Sequence, residues 1–530
     1  MTAPDLRRPA DLDWTLGELV ERRAAEHGDR IVLRGGDGQA VSYAELAARV
    51  AGVRALLAGR GLQSGDRVAI VLANSVRYPI AWLGVASAGM TAVPVNKRSG
   101  PSDARYLIDH SGARMVLVDD STAELAATAI AEIDRSVMTE HVAGDHWPTC
   151  GGQRADPVPP VAHTASALAN IQYTSGTTGF PKGCMLSHRF WQQMGQGMAD
   201  VMGVGPDSVL LTAQPFSYID PLWNTVAALR AGAELVVLDG FHPSTFMRSV
   251  TEFGVTVFYC LAAMPTLLLK QPPAPYDHDH RLQRVYCSAI PPKIHADLER
   301  RWGVPWSELF GMTETGLNLA VLPDDHDELV GTGSMGAAVN HCEARVVDVD
   351  GVDVADGQEG ELLLRGLGFM DGYLDDPDAT AAFFADGWAH TGDIVVRDAQ
   401  GRFTLRGRRK DMIRRGGENI AAAEVEATLV THPAVLECAI TSIPDDDLGE
   451  ELRAIVVPVD GAQGHPDAAE LRQFLSERLA AFKVPRYWEF RAELPKTPSQ
   501  RVAKRQLGPP GDDVVDLSAP CDRAPDMGGC

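Results

Sequence analysis

The chain has 530 residues, enough for several domains at roughly 150 residues each, and its 71 acidic against 48 basic residues give a net charge of −23. This excess of acid argues against a protein that binds the phosphate backbone of nucleic acids, because such proteins need a surplus of cations. Hydrophobic residues at 45% and charged residues at 22% predict a folded globular protein. No apolar run reaches the length of about 18 residues that a membrane span needs. The first residues lack the apolar core of a secretory signal, and the 8 scattered cysteines, without a Cys-x-x-Cys pair, predict reduced thiols in the cytoplasm.

Helix and strand signals alternate over the first part of the chain. Residues 16–26 have helical spacing, and Ser42 with Glu45 forms a capping box that predicts a helix running to about Gly59. Short apolar runs predict buried strands at 31–34, 68–72, 115–118, 235–238, 257–259 and 285–287. Such alternation predicts an α/β fold in which helices cover a parallel sheet.

The pattern changes near residue 340. Strand-like runs at 344–347 and 360–365 flank a Gly/Asp-rich turn, which indicates an antiparallel β region. A compact unit of about a hundred residues follows Lys410, a length sufficient for a small separate α+β domain. Its predicted helices are 423–430 and 468–481, and its predicted strands are 435–441, 453–459 and 488–490. The acidic, turn-rich tail at 508–530 is predicted to be disordered.

The strongest local signal is the run YTSGTTGFPKG at 173–183. It follows a mostly apolar segment, which places it on a loop that leaves a strand. Small residues let backbone N–H groups approach an anion, the hydroxyl groups add donors, and Lys182 adds a positive charge. The run is not a Walker A loop, because no Gly-Lys-Ser/Thr follows at the required spacing. A hydroxyl-rich turn without a ligand is the alternative, which the order of these residues disfavours.

This loop resembles the phosphate loop of the adenylate-forming superfamily, which includes acyl-CoA synthetases, peptide-synthetase adenylation domains and luciferases. Further segments resemble that family's motifs in the same order, at 310–315, 387–393, 407–411, 416–420 and 494–498. The resemblance covers residues from about 15 to 507 and is nearest to fatty-acid and carnitine/crotonobetaine-type CoA ligases. It implies a large N-terminal AMP-binding lobe at 1–409, with stacked α/β layers plus a small β region, and a small mobile α+β C-terminal domain at 410–507.

The resemblance also implies a reaction, that of an acid–CoA ligase that uses ATP and Mg²⁺. A carboxylate attacks the α-phosphate of ATP to form an acyl-adenylate, and the thiol of coenzyme A then displaces AMP. Because two anions must meet, cations are needed where they approach. Lys182, Thr313 and Glu314 are the implied catalytic residues, with Glu314 also holding Mg²⁺. The implied phosphate-binding residues are Thr174, Ser175, Gly176, Thr177, Thr178, Gly179 and Lys182.

The remaining nucleotide contacts are implied in the same way. The implied adenine contacts are stacking on Phe310 and the strip of small residues Cys287, Ser288 and Ala289, and Gly311, Met312 and Thr313 are implied to bind the nucleotide as well. Asp393 and Arg408 bind the ribose hydroxyls, and Lys410 is the hinge of the small domain. Gly416 and Gly417 leave room for the pantetheine thiol, because they carry no side chain. Taken alone, Asp393 is typical of a turn and Arg408 of a protein surface, and only the shared order of the motifs favours a functional role.

One motif departs from the family pattern. Its end usually reads Gly-Lys, with a lysine that bridges the carboxylate and the α-phosphate, whereas this chain has Gln500 and Arg501 there. Lys504 matches a second basic position. Arginine keeps the positive charge but is planar, forked and larger than an ammonium group. Either Arg501 acts as the catalytic cation or the first half-reaction is altered, and we favour the first.

The resemblance implies an acyl pocket with a mostly apolar, partly aromatic wall. Its residues are Tyr218, Asp220, Trp223, Ala263, Met264 and Leu317. The Asp220 carboxylate could pair with a substrate ammonium group. However, Asp220 followed by Pro221 is typical of a helix N-cap with proline at the first helical position, and we favour the cap.

Two alternatives to an acid–CoA ligase stay open at this point. One is a stand-alone adenylating enzyme that passes an activated acid, including an unusual small oxyacid such as nitrite, to a carrier protein or an amine. The other is a nucleotide-binding protein without turnover, which only Gln500 and Arg501 suggest. The identity of the acid and the oligomeric state, a homodimer included, are not predicted.

Overall fold

The computed structural model describes residues 13–142, 144, 163–174, 181–261, 263–409, 412–415, 418–445, 448–459, 466–496, 502–511 and 513–517. The chain divides into two compact units. The first comprises Met1–Arg345, Leu363–His390 and Asp398–Thr404, and the second comprises Val346–Leu362, Thr391–Arg397 and Leu405–Cys530. Among the described residues, no helix is long and apolar enough to cross a membrane.

Helices and strands alternate along the chain, as the sequence predicts. The helices are α1 (Leu16–His27), α2 (Tyr43–Gly59), α3 (Arg77–Ser87), α4 (Pro101–His110), α5 (Ala123–Ala131), α6 (His188–Met202), α7 (Ile219–Ala231), α8 (Pro243–Glu252), α9 (Met264–Leu269), α10 (Pro292–Trp302), α11 (His326–Leu329), α12 (Pro377–Phe383), α13 (Ala422–Leu429) and α14 (Ala468–Ser476). The strands are β1 (Ile31–Gly35), β2 (Ala40–Ser42), β3 (Arg67–Val71), β4 (Thr91–Pro94), β5 (Met115–Val118), β6 (Met138–His141), β7 (Leu168–Thr174), β8 (Lys182–Ser187), β9 (Val209–Thr212), β10 (Glu234–Val237), β11 (Val257–Leu261), β12 (Arg284–Ser288), β13 (Trp306–Met312), β14 (Gly316–Ala320), β15 (Ser334–Ala338), β16 (Cys342–Val347), β17 (Glu359–Gly366), β18 (Gly372–Tyr373), β19 (Ala389–Arg397), β20 (Arg402–Arg408), β21 (Met412–Arg415), β22 (Glu418–Ala421), β23 (Val435–Asp445), β24 (Gly449–Pro458), β25 (Tyr487–Phe490) and β26 (Val515–Asp516).

The capping box at Ser42 is confirmed, since the Ser42 side chain accepts from the Glu45 N–H while the Glu45 carboxylate accepts from the Ser42 N–H. It satisfies two backbone donors that the first turn of α2 cannot satisfy itself. The helix then runs to Gly59, where the sequence predicts its end.

The first unit contains two sheets built mainly from parallel strands. In one, neighbouring strands follow the order β2, β1, β10, β9, β11, β12, β13, β14, β15 and β20. The neighbouring strands β1, β10, β9, β11, β12 and β13 are parallel to one another, and β14 and β15 add antiparallel pairs. The other sheet has the order β18, β8, β7, β4, β3, β5 and β6, with only β8 and β18 antiparallel to their neighbours. In parallel sheets the carboxyl ends of the strands share one edge, where ligands typically bind.

The segment 214–218 follows β9 of the first sheet and contacts residues at the carboxyl ends of two strands of the second sheet. Asn74, which follows β3, donates to the Gln214 carbonyl at 2.8 Å. Asn96, which follows β4 and is 5% exposed, donates to the Tyr218 hydroxyl at 3.1 Å. A buried amide must find hydrogen-bond partners, so these contacts hold the segment between the two edges. Residues that follow the parallel strands of the two sheets are therefore brought close together in the first unit.

The second unit contains a smaller sheet. Its strands follow the order β22, β21, β24, β25 and β26, and β23 pairs with β24. The helices α13 and α14 supply apolar side chains to the core of this sheet, and Trp488 of β25 is fully buried in it. The observed architecture thus confirms a large α/β region and a smaller α+β region. The hinge predicted at Lys410 lies outside the described residues and stays a prediction.

Two local predictions for the second unit were wrong. The helix predicted at 468–481 ends at Ser476. The tail from Gly508 is not disordered where the structure describes it, because Val515–Asp516 forms β26, antiparallel to β25. Arg486 donates to both carboxylate oxygens of Asp516, at 2.8 and 2.9 Å. Composition alone predicted disorder, but backbone pairing and a forked arginine–carboxylate contact order this segment.

Candidate active site

The predicted phosphate loop begins at the end of β7 and returns in β8. Thr174, the last residue of β7, pairs with Lys182, the first residue of β8. The antiparallel pairing therefore places a hydroxyl and an ammonium group at the two ends of the loop. The predicted loop residues Ser175, Gly176, Thr177, Thr178 and Gly179 lie outside the described part of the chain.

Lys182 is held by two residues from a distant part of the sequence. Its Nζ atom lies 3.3 Å from the Asp376 carboxylate and 5.0 Å from the centre of the Tyr373 ring. Strand β18 pairs with β8 and thereby places Tyr373 beside this lysine. Asp376 also caps α12 by accepting from the Ala379 N–H at 3.0 Å. That hydrogen bond, followed by the one from Lys182, lowers the pKa of Asp376, so the carboxylate is charged at neutral pH.

Glu314 is joined to this lysine through Tyr373. The Tyr373 hydroxyl donates to Glu314 Oε1 at 3.0 Å, and the Met370 N–H donates to the Glu314 carbonyl at 2.8 Å. Burial, and next the negative charge of Glu314, raise the pKa of Tyr373, so its hydroxyl keeps its proton and donates. The row Lys182, Tyr373 and Glu314 thus brings together two residues that the sequence singled out.

Tyr373 and Asp376 were not predicted as site residues. Asp376 followed by proline is typical of a helix N-cap and could have drawn attention to the position. Tyr373 had no sequence signal, because its importance comes only from the pairing of β18 with β8.

The predicted adenine-contacting residues meet at the carboxyl ends of two adjacent parallel strands. Ser288 ends β12, and Phe310, Gly311 and Met312 end β13. The Ser288 hydroxyl donates to the Leu309 carbonyl at 2.7 Å and ties the two strand ends together. A Cβ atom at Gly311 would collide with the Gly316 carbonyl oxygen, so only glycine fits there. Thr313 lies in the turn between β13 and β14.

Glu308 shapes the turn that follows Ser288, a role that the sequence did not reveal. Its carboxylate accepts from the Ala289 N–H and, at 2.8 Å, from the Ile290 N–H. Ala289 has φ of +68°, a left-handed conformation that costs energy for a residue with a Cβ atom. Burial raises the pKa of Glu308 to about 8. We conclude that the conformation of the turn depends on Glu308 and not on any preference of Ala289.

The residues predicted for the acyl pocket lie at the start of α7, at the start of α9 and in β14. The helix α7 begins at Ile219 with Tyr218 as its N-cap, so the N-cap predicted at Asp220 was wrong. Asp220 instead lies in the first turn, where a carboxylate interacts favourably with the helix dipole. Tyr218 and Asp220 are half-buried, and Ala263, which precedes α9, is exposed.

The other three predicted pocket residues are enclosed. Trp223, Met264 and Leu317 are buried, with exposures of 1%, 7% and 3%. The Trp223 ring packs edge-on against Tyr259 with 5.2 Å between ring centres. Trp223, Met264 and Leu317 therefore lie in the protein interior, whereas Tyr218, Asp220 and Ala263 are accessible, and the acyl pocket itself stays a prediction.

In the second unit, Asp393 and Arg408 form an ion pair. Arg408 Nε donates to Asp393 Oδ1 at 2.9 Å, and the Asp393 residue is 1% exposed. The Asp393 N–H donates to the Thr391 hydroxyl at 3.0 Å, which fixes the backbone of β19 at this point. A cavity of about 320 Å³ reaches Arg408 and also Lys504, whose Nζ atom lies 2.7 Å from Glu426 Oε1. Lys410, Gly416, Gly417 and Arg501 lie outside the described residues.

A cluster of two histidines and a carboxylate in the first unit is structural and not a metal centre. His295, Glu299 and His326 place their donor atoms within 4.8 Å of one another. His295 Nδ1 accepts from the Gly331 N–H at 3.1 Å, so its Nε2 carries a proton and donates to the Trp306 carbonyl at 2.7 Å. Neither nitrogen of His295 has a lone pair left for a metal ion.

Hydrogen bonds account for the charges of this cluster. Burial alone would raise the pKa of Glu299, but the bonds it accepts from His295, His326 and the Trp306 N–H lower it to about 2. His326 Nε2 lies 2.7 Å from Glu299 Oε1, and this bond raises the pKa of His326 despite its burial. The cluster is thus an internal ion pair that links α10 to α11.

Comparison with known proteins identifies the family. A family model described as "AMP-binding enzyme" matches residues 20–374, and "AMP-binding enzyme C-terminal domain" matches residues 424–501. The chain is 34% identical to a sulfoacetate–CoA ligase of Cupriavidus necator, over 93% of this chain and 97% of the relative. It is 33% identical to a feruloyl-CoA synthase of an Amycolatopsis species, over 93% of this chain and 98% of the relative.

Solved structures of related enzymes share the fold. ATP-bound MatB from Rhodopseudomonas palustris has a TM-score of 0.81 at 29% identity, covering 93% of this chain and 98% of that chain. The o-succinylbenzoate CoA synthetase from Bacillus subtilis, in complex with its acyl-adenylate intermediate, has a TM-score of 0.84 at 26% identity, covering 94% of this chain and 99% of that chain. The chain therefore belongs to the AMP-binding enzyme family and is a ligase, as its sequence motifs predicted.

Proposed function

We propose that Lys182 and Glu314 are the charged groups at the nucleotide phosphates of this enzyme, an acid–CoA ligase that forms an acyl-adenylate from a carboxylic acid and ATP. The observation that supports this is the row Lys182, Tyr373 and Glu314 at the end of the predicted phosphate loop. A cation and a hard carboxylate ligand held by the same tyrosine suit a magnesium-bound triphosphate. Thr174 and Thr313 contribute hydroxyl donors beside them.

The chemistry needs positive charge that is already in place. An attacking carboxylate and a triphosphate are both anions, so a fixed cation lowers the cost of their approach. Asp376 and the Tyr373 ring hold the Lys182 ammonium before any substrate binds. Bound Mg²⁺ supplies further positive charge to the phosphates. Glu314 offers it a carboxylate oxygen whose position is set by the Tyr373 hydroxyl.

We assign the adenine to the ends of β12 and β13. Ser288 and Ala289 present a small surface, and the partly exposed Phe310 offers a ring face for stacking. Gly311 and Met312 complete this surface. Glu308 would maintain the turn at Ala289 that the adenine meets.

In the second unit we assign the ribose hydroxyls to Asp393 and Arg408. A carboxylate accepts two hydroxyl donors well, and the hydrogen bond from Arg408 keeps Asp393 oriented. The resemblance carries the remaining proposals for this unit. They are Arg501 as the cation at the carboxylate and the α-phosphate, Lys410 as a hinge, and Gly416 with Gly417 as the passage of the coenzyme A thiol.

We also propose that the enzyme works in the cytoplasm. The cysteines that the structure describes are all free thiols, and Cys184, Cys260, Cys287 and Cys342 are buried. Unpaired buried thiols are typical of proteins from a reducing compartment. Fractionation of cells that express the chain tests this location directly.

The test of the proposed function is acid-dependent exchange of pyrophosphate into ATP, followed by release of AMP with and without coenzyme A. Lys182→Ala should lower the exchange rate by about 10²–10³, the usual effect of removing a group that stabilises developing charge. Lys293→Ala, which removes an exposed lysine of α10, is the matched control and should exchange normally. Equal rates in the two variants would disprove the role of Lys182. Exchange that never leads to coenzyme A-dependent AMP release would instead point to a carrier protein or an amine as the acceptor.

A further inference from the structure

Helix α4 contacts both ends of the predicted phosphate loop. The Tyr106 hydroxyl donates to the Pro181 carbonyl at 3.2 Å. One helical turn later, His110 Nδ1 lies 2.8 Å from the Tyr173 hydroxyl, a hydrogen-bond distance. Tyr173 lies in β7, from which the loop leaves, and Pro181 directly precedes β8, to which the loop returns. A single helix therefore holds the two ends of the loop.

The side chains that make these contacts also pack against one another. The rings of Tyr106 and His110 are stacked, with 5.2 Å between their centres and 27° between their planes. The Tyr173 ring meets both of them edge-on, at 6.4 Å and 5.8 Å. We call Tyr106, His110 and Tyr173 the aromatic clamp. Stacked and edge-to-face pairs are favourable arrangements of aromatic rings, so this packing keeps the two tyrosine hydroxyl groups beside their partners.

The helix that carries the aromatic clamp is itself fixed in the core. Leu107 and Ile108 of α4 are buried in the hydrophobic core of the sheet that contains β7 and β8, together with side chains of β3, β4 and β5. In the same sheet β7 pairs with β4 at Asn170, before the loop. Closer to the loop, Tyr173 and Pro181 are joined to α4 by their hydrogen bonds to the helix. The position of the packed core thus determines where the two ends of the loop lie.

We infer that Tyr106 and His110 are positioning residues of the adenylation reaction, which hold the ends of the phosphate loop where it meets the β- and γ-phosphates of ATP. The inference rests on the proposed function, since it takes this loop as the triphosphate site. Neither residue is a nucleotide contact, because each acts through Pro181 or Tyr173. Lys182 follows Pro181 directly, so the aromatic clamp also supports the backbone of this cation. Donors that are already in place stabilise developing charge best, so a loop with loosened ends binds the triphosphate more weakly.

The test compares ATP with AMP, which lacks the β- and γ-phosphates. Tyr106→Phe and His110→Phe each remove one hydrogen bond and keep an aromatic ring. Calorimetry with Mg²⁺ and without acid should show ATP binding weakened about three- to tenfold in each variant, as expected for one hydrogen bond, and AMP binding changed less than about twofold. His110→Asn, whose amide can reach the Tyr173 hydroxyl, should bind ATP more tightly than His110→Phe. Tyr43→Phe, which removes a buried tyrosine hydroxyl outside the site, is the control and should leave both affinities unchanged.

Pyrophosphate exchange gives a second readout, since the KM for ATP should rise in both phenylalanine variants of the aromatic clamp. Thermal melting confirms that each variant is folded, and either one is a sufficient test if the other does not fold. A folded variant with an unchanged ratio of ATP to AMP affinity, or with equal losses for the two nucleotides, overturns the inference. If Lys182→Ala slows exchange and the clamp variants do not, the inference fails while the proposed function stands. If Lys182→Ala leaves ATP binding and exchange unchanged, the proposed function fails and the inference fails with it.

Discussion

Tyr373→Phe removes a single hydrogen bond from the row that links Lys182 to Glu314. The ring that faces the Lys182 ammonium at 5.0 Å remains, but the hydroxyl that donates to Glu314 at 3.0 Å is lost. A hydrogen bond to a charged group contributes about 1.5–3 kcal/mol. At 1.4 kcal/mol for each factor of ten, its loss corresponds to a decrease of roughly 10- to 100-fold. We expect this decrease in kcat/KM for magnesium-bound ATP, because Glu314 is no longer positioned.

The assay is pyrophosphate exchange at varied Mg²⁺ concentration, with acid in excess. Tyr373→Phe should need more Mg²⁺ for half-maximal exchange, which a general loss of stability would not produce. Tyr43→Phe is the control, because the buried Tyr43 hydroxyl donates to the Ala233 carbonyl at 2.8 Å outside the site. If Tyr373→Phe and Tyr43→Phe respond to Mg²⁺ alike, Tyr373 does not position a metal-binding carboxylate.

Three further predictions concern other parts of the molecule. Arg408→Met leaves Asp393 without that ion-pair partner, so calorimetry should show AMP binding weakened at least about tenfold, and unchanged affinity would contradict the ribose assignment. The pKa of Glu299 is lowered from 4.5 to about 2, and this shift contributes about 3 kcal/mol to the free energy of unfolding above pH 4.5, which is lost as the pH falls toward 2. In Glu299→Gln, His326 loses its charged partner, so the difference between the wild-type and variant free energies of unfolding in urea should become smaller as the pH falls from 4.5 toward 2. A difference that stays constant with pH would contradict this prediction. Arg486→Ala should lower the free energy of unfolding by about 1 kcal/mol or less, because its ion pair is partly exposed. It should speed amide hydrogen exchange in β26 while the overall melting temperature changes little. A large drop in the melting temperature would show that β26 is essential to the fold.

Local patterns were sufficient for elements whose determinants lie close together in the sequence. The capping box of Ser42 and Glu45 predicted α2, because it joins residues only three positions apart. The apolar runs of the parallel strands predicted the α/β architecture, because each run lies within a few consecutive residues. Local composition failed at Asp220, where the helix starts earlier at Ile219. It failed again in the tail after Gly508, where a distant arginine orders the strand.

The motifs were enough to identify the family and the reaction, since the predicted phosphate loop and the motifs that contain Glu314 and Asp393 follow one another in the order typical of the family. They did not reveal which groups orient these residues. Tyr373 is 59 residues from Glu314 in sequence, and only the pairing of β18 with β8 brings it to Lys182. The left-handed turn at Ala289 likewise depends on Glu308 of a neighbouring strand. The sequence determines which chemical groups a motif carries, because these residues are neighbours in the chain. The contacts that hold a charged group in position depend on the pairing of strands that are distant in sequence, so only the tertiary structure decides them.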